Sequence, residues 1–224
     1  MKKLTLILLL TSSVLFSQEA IVTKLGDFTG IKVFSGLQVE LIKAEEAKVV
    51  ITGSKASQVS LKNKNGILKF SIRYTDRLKK GDVVIKVYYL NKIDVLDANE
   101  GSSIFSNEVI NQQHLELKSQ EGARINVVIN VKYLTIKSVS GGFIEVVGTT
   151  QNQIIDANTG GFYKAFDLES KQATATASAG GNIDVNVSEI LNATVNFGGS
   201  IYYKGTPEEL KTKKVVGGTI KQSN

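Results

Sequence analysis

The sequence predicts an all-β fold, a β-solenoid of parallel strands wound in coils of about nineteen residues. Three observations carry that prediction. A two-glycine bend recurs as "SVSGGFIEV", "ANTGGFYKA", "SAGGNIDV", "NFGGSIYY" and "VVGGTIKQ". Apolar and polar residues alternate on either side of each bend, the period of a strand. Helical spacing is absent from the whole region.

Aligned on the first glycine of each bend, the anchors are Gly101, Gly122, Gly141, Gly160, Gly180, Gly198 and Gly217, spaced by 21, 19, 19, 20, 18 and 19 residues. The following position holds Ser102, Ala123, Gly142, Gly161, Gly181, Gly199 and Gly218, always tiny. Three places after the anchor stand Ile104, Ile125, Ile144, Tyr163, Ile183, Ile201 and Ile220. Five places before it stand Leu96, Leu117, Ile136, Ile155, Ala175, Ala193 and Thr212. Each copy therefore reads as strand, tight bend, strand and a looser return. The glycines allow positive φ and close backbone approach. One such unit cannot bury its apolar face alone. Stacked units can, with isoleucine over isoleucine at the strand spacing of about 4.8 Å. The small inward residues Ala175 and Ala193 imply a core that narrows toward the C-terminus.

Residues 18–95 are less regular but still β in pattern, as in "GIKVFSGLQVELI", "KVVITGS", "NGILKFSIRY" and "GDVVIKVYYL". Gly36 and Gly66 look like worn copies of the bend, and "NKNGI" is a hairpin turn signal. This section is expected to form irregular first coils or a cap, since an open solenoid end exposes strand edges. It continues into the array of residues 96–224 as one domain. "YKGTPEELKT" is the one helix-like stretch, with Pro207 at a first-turn position, and is read as a turn.

The chain opens "MKKLTLILLLTSSVLFSQEA". Lys2 and Lys3 precede an apolar run from Leu4 to Leu10, then small residues, the pattern of a secretory signal peptide over residues 1–17 cleaved after Ser17. No cysteine at the junction supports a lipoprotein anchor, and no second long apolar run follows. The expected location is the periplasm or outer surface of a Gram-negative cell, with no membrane-spanning segment in the mature chain. The array runs nearly to Asn224, so no separate sorting domain is expected after it. The chain has no Cys and one His, which excludes disulfides, thiolate metal sites and His-clustered metal sites. Of the 27 basic residues two lie in the leader, leaving 25 against 21 acidic, a mild +4. Charges alternate without a basic run, so nucleic acid is not implied.

These features resemble a known family. "SGLQVEL" near the start, "NGILKFSI" in the middle, the serial "SGGFIEV", "TGGFYKA", "AGGNIDV" and "FGGSIYYKGTPEEL", and the closing "VVGGTIKQ" are similar in kind and order to the exported head GIN domain family of adhesin-like auto-transporter heads, common in Bacteroidetes. The resemblance implies a right-handed parallel β-helix and an adhesin-like role. It implies no catalytic, cofactor or metal residues.

Candidate sites are few. Calcium-binding arrays repeat every nine residues with an Asp at each G-x-G, whereas here only Asp184 follows a bend closely, so backbone geometry accounts for the glycines. Glu100 and Glu121 share a column just before successive anchors, but that column continues as Ser140, Thr159 and Ala179, which reads as a solvated acid pair. His114 in "NQQHLELK" reads as an exposed loop residue. Asn99, Gln120, Asn158, Ser178 and Asn196 form a polar column two places before the anchor, interrupted by Val139, and suggest a side-chain ladder. Two outward columns are more informative. One places Phe143 and Phe162 on adjacent coils; the other carries Phe105 and Tyr202. Exposed aromatics on a flat sheet suit a sugar or protein partner. The expected function is a non-enzymatic, adhesin-like binding or structural module of the envelope, its partner a glycan or an envelope or surface protein. A carbohydrate-active enzyme on a β-helix scaffold is the alternative, and a ligand-free structural protein the third.

Overall fold

At each bend the chain runs through two consecutive residues of positive φ. The first is not glycine: Glu100, Glu121, Ser140, Thr159, Ala179 and Phe197 have φ of 47–57°. The second is the anchor glycine, with φ of 69–79°. The residue after the pair donates back across it, as Ser102 N to Asn99 O at 3.1 Å and Gly161 N to Asn158 O at 3.0 Å. These are type I′ turns, whose twist suits strand connections. The bends also bond to one another, Gly141 N to Thr159 O and Gly160 N to Ala179 O, so they stack as a ladder of their own. The glycine after the anchor has ordinary φ but no room. A Cβ at Gly161 would lie 2.0 Å from the Ser138 carbonyl oxygen, and one at Gly142 would lie 2.1 Å from that of Ser119. The two glycine columns thus serve different needs, conformation first and clearance second. The last copy departs from this pattern: Gly217 and Gly218 both carry positive φ, 62° and 98°.

The computed structural model describes residues 20–73 and 81–223; the expected signal peptide lies outside them. Among the described residues the strands are β1 (Ile21–Lys24), β2 (Gly30–Val33), β3 (Gln38–Lys43), β4 (Lys48–Thr52), β5 (Val59–Lys64), β6 (Ile67–Ile72), β7 (Val84–Tyr89) and β8 (Val95–Ala98). Then follow β9 (Ser103–Gln120), β10 (Arg124–Val139), β11 (Phe143–Asn158), β12 (Phe162–Ser178), β13 (Asn182–Asn196), β14 (Ser200–Lys204), β15 (Glu209–Lys214) and β16 (Thr219–Gln222). The long strands β9 to β13 pair in parallel, each with the next, and continue to β14, β15 and β16. The result is a β-solenoid of about seven turns roughly nineteen residues apart.

Each long strand turns a corner near its middle, where successive exposed or half-buried residues, such as Lys132 and Tyr133, break the alternation. One half faces β3 and β7 in the stack, the other faces β8, β2 and β6. The inward columns predicted from the bends are buried: Leu96, Leu117, Ile136, Ile155, Ala175 and Ala193 on one wall, Ile104, Ile125, Ile144, Tyr163, Ile183 and Ile201 on the other. At the C-terminal end the burial stops, with Thr212 exposed and Ile220 partly so. Tyr163 is the largest fully buried side chain and shares β12 with Ala165, Ala173, Ala175 and Ala177. Its hydroxyl donates to Gln153 Oε1 at 2.8 Å, Gln153 Nε2 donates to Ser170 Oγ at 2.8 Å, and Ser170 donates to Asn186 O at 2.6 Å. Burial holds the Tyr163 hydroxyl protonated, far above its ordinary range.

The N-terminal strands stack in a different order from the chain. On one wall β2 lies between β6 and β8; on the other β3 lies between β7 and β9. The β2–β3 coil is therefore interior, although it comes first in sequence. Its bend, Ser35 and Gly36 with φ of 70° each, is a true copy: Gly36 N donates to Glu100 O at 3.0 Å. Gly66 differs from that expectation. With Asn65 it forms the tight turn of the antiparallel β5–β6 hairpin and not a coil bend. Antiparallel β4 and β1 extend the other wall beyond β7. The helix-like stretch at Pro207 is no helix; it leads directly into β15.

Candidate functional site

Phe143 and Phe162 are register partners on β11 and β12, near the bends where both strands begin. Their ring centroids lie 6.5 Å apart at 34°, a tilted contact on the outer face of the sheet. Phe162 keeps 46% of its surface exposed and Phe143 is half-buried. One coil before them Arg124, the register partner of Phe143, holds its guanidinium 5.1 Å from the Phe143 ring centre. Arg124, Phe143 and Phe162 thus form a row across three coils. The parallel register places them there, because side chains two residues past each bend all point outward.

The neighbouring outward column is polar at the same height. Lys164 pairs with Glu145 at 2.8 Å, and Asn126 donates to the same carboxylate at 3.3 Å. Asp184 follows Lys164 in register; its carboxyl is pushed up by partial burial, with Lys164 opposing. Phe105 and Tyr202 belong to this column. Phe105 lies beside Glu40 and Asn126, and Tyr202 beside Asp184 and Lys221. They therefore do not join the Phe143–Phe162 pair into one patch of four. Charged and amide side chains separate them, and of the four aromatics only Phe143 and Phe162 touch.

The other expected candidates find structural places. His114 is not in a loop but in β9, where its ring stacks on Tyr133 of β10 at 4.9 Å and 18°. Glu100 accepts the Ser35 N–H at 3.2 Å, one bend holding the next. The polar column before the anchors bonds at both ends, Gln120 to Asn99 and Asn196 to Ser178, on either side of the Val139 interruption.

One feature escaped the sequence reading. A groove of about 750 Å³ runs along the solenoid at the mid-strand corner. One wall is a column of register partners, Asn111, Asn130, Thr149, Glu169 and Asn186, on five successive strands. The other wall includes Lys132, Gln151 and Lys171. Counted forward from the preceding anchor, the column has no constant offset. Bulges between β9 and β10, β11 and β12, and β12 and β13 shift it. Counted backward it is regular: Asn111, Asn130, Thr149 and Glu169 each stand eleven places before the next anchor.

The family described as "Putative auto-transporter adhesin, head GIN domain" matches residues 27–207. The chain belongs to this family. Solved structures resemble the head GIN domain along almost its whole length. A "putative adhesin" from Bacteroides fragilis has a TM-score of 0.83 at 18% identity, covering 93% of this chain and 98% of that one. A "putative adhesin" from Parabacteroides merdae scores 0.70 at 16% identity, and a "putative lipid binding protein" from Parabacteroides distasonis 0.69 at 19%, each covering 92% of this chain and 96% of its own. At such identities the likeness is one of fold. No curated protein matches the chain. Among the described residues no helix is long and apolar enough to cross a membrane.

Proposed function

We propose that this head GIN domain is an exported, non-enzymatic, adhesin-like module that holds a protein partner against the Arg124–Phe143–Phe162 row. The observation that carries the reading is the in-register contact, on the outer face of the sheet, of exposed Phe162 with half-buried Phe143, backed by an arginine. Aromatic residues and arginine are the side chains enriched at protein interfaces, and they concentrate binding energy when desolvated. The flanking Glu145–Lys164 pair supplies a polar rim. The row sits on a rigid sheet, so little conformational entropy is lost on contact. The adhesin description of the family supports the same role. Export rests on the leader sequence of residues 1–17.

The test is cross-linking on intact cells with a photoreactive group placed at Ser103, in the same outward column. A specific adduct should form with the wild-type surface. It should fall at least tenfold with Phe143→Ala and Phe162→Ala together. An unchanged adduct pattern in that double variant would remove the row from the function.

A further inference from the structure

We infer that the corner groove is a second binding site, for a neutral linear oligosaccharide lying along the solenoid axis. The inference rests on the groove's own geometry and not on the aromatic row. The two places are separate. Phe143 begins β11, whereas Thr149 lies six residues on, roughly 20 Å along the strand at ~3.3 Å per residue.

The groove's floor and walls differ in one respect that points outward. Polar groups of the floor are satisfied within the protein. Gln112 bonds Ile93, Thr150 Oγ1 donates to the Asn152 carbonyl at 3.3 Å, and Ser170 donates to Asn186 O. On the walls, among the described residues, the side chains of Asn111, Gln151 and Glu169 have no hydrogen-bond partner in the protein. Asn130 Oδ1 accepts from Thr149 at 3.0 Å, which leaves its two N–H donors turned loose. Asn186, at the far end of the column, donates to Phe166 O at 3.4 Å. Asn111, Asn130 and Gln151 thus present amide groups open to solvent, matched to hydroxyl groups.

Spacing selects the polymer. The wall offers one side chain per coil, every ~4.8 Å, across five coils or roughly 19 Å. That step is close to the advance of one pyranose unit in an extended glycan. A peptide laid along the axis repeats its side chains on one face every ~6.6 Å, from ~3.3 Å per residue, and drifts out of phase within two coils. It could not pair its backbone either, because the strand amides beneath it already bond their neighbours in the parallel ladders. Charge selects neutrality. Lys171 is paired with Glu189 at 2.9 Å, and the groove carries Glu169 against Lys132. No excess of cation remains for a polyuronate, and nothing here recruits a phosphate backbone.

The experiment is calorimetric titration of the mature chain with neutral cello-, laminari-, manno- and chito-oligosaccharides of two to eight units, with oligogalacturonate as the acidic comparison. We expect at least one neutral series to bind. Its affinity should climb with length and level off near five units, with little change between low and moderate salt. Asn111→Ala with Asn130→Ala should weaken it at least tenfold, and Thr149→Trp, which fills the groove from an exposed position, should abolish it. Circular dichroism of both variants should stay that of the wild type. Phe143→Ala with Phe162→Ala should leave glycan binding intact, so the two sites fail independently. The inference is overturned by absence of binding across all neutral series, by affinity that ignores length, by salt-sensitive binding of the uronate alone, or by binding that survives Thr149→Trp.

Discussion

Adjacent glycines in one bend carry unequal weight, and Gly160 and Gly161 show why. Gly160 has φ of 70°, and a Cβ there would meet nothing within 4 Å. Alanine at this position pays only the left-handed backbone penalty, about 1–2 kcal/mol. Gly161 has ordinary φ, but a Cβ would sit 2.0 Å from Ser138 O and 2.5 Å from its carbon, both backbone atoms of the coil below. Gly161→Ala must push two coils apart, and we expect a loss of more than about 3 kcal/mol, in the range of severe single substitutions. Urea denaturation of the two variants should show that order; equal losses would mean the coils yield easily. Tyr163 tests the interior in the same way. Tyr163→Phe keeps the ring volume but strips Gln153 Oε1 of its donor in a fully buried setting. An unsatisfied buried acceptor should cost about 1–3 kcal/mol in the same assay.

At the scale of elements, the repeat was legible because each bend fixes its neighbours locally. Turn, alternation and glycine pair all lie within a few residues of the anchor, and the inward columns at three after and five before it are buried as expected in the first six copies. The groove wall was not legible from the same alignment. The halves of each long strand before the corner vary in length and bulge, so a fixed offset from the preceding bend scatters the column that the following bend keeps in line. Neither was the place of β2 and β3. Local pattern names a strand but not its partner, and a coil that comes first in sequence yet stacks second requires a long-range pairing no short stretch encodes. That placement has a measurable result. Leu41 on β3 is buried between β7 and β9. Were the N-terminal section a loose cap, Leu41→Ala would lower only a separate, early transition. As an interior coil it should shift the single main thermal transition, by the about 2–5 kcal/mol of a buried leucine truncation.

For the whole molecule, stability is a sum over stacked coils, each touching only its neighbours. The two ends are finished differently. Toward the N-terminus, β1 and β4 run antiparallel to the array on one wall and the β5–β6 hairpin closes the other. Toward the C-terminus, all six residues of β15 are exposed and β16 buries none fully. Lysines at 211, 213, 214 and 221 line these last strands, the usual guard against edge pairing. A one-dimensional stack with one sealed and one thin end should open from the thin end. Amide hydrogen exchange on the intact chain should therefore be fastest in β15 and β16, intermediate in β13 and β14, and slowest in β10 to β12, where both edges of every strand pair with long strands. Mild denaturant should release these groups in that order. Exchange of all the strands together at one free energy would instead mark a single cooperative unit, in which bend stacking and the β2–β3 insertion couple the coils more strongly than nearest-neighbour contact alone.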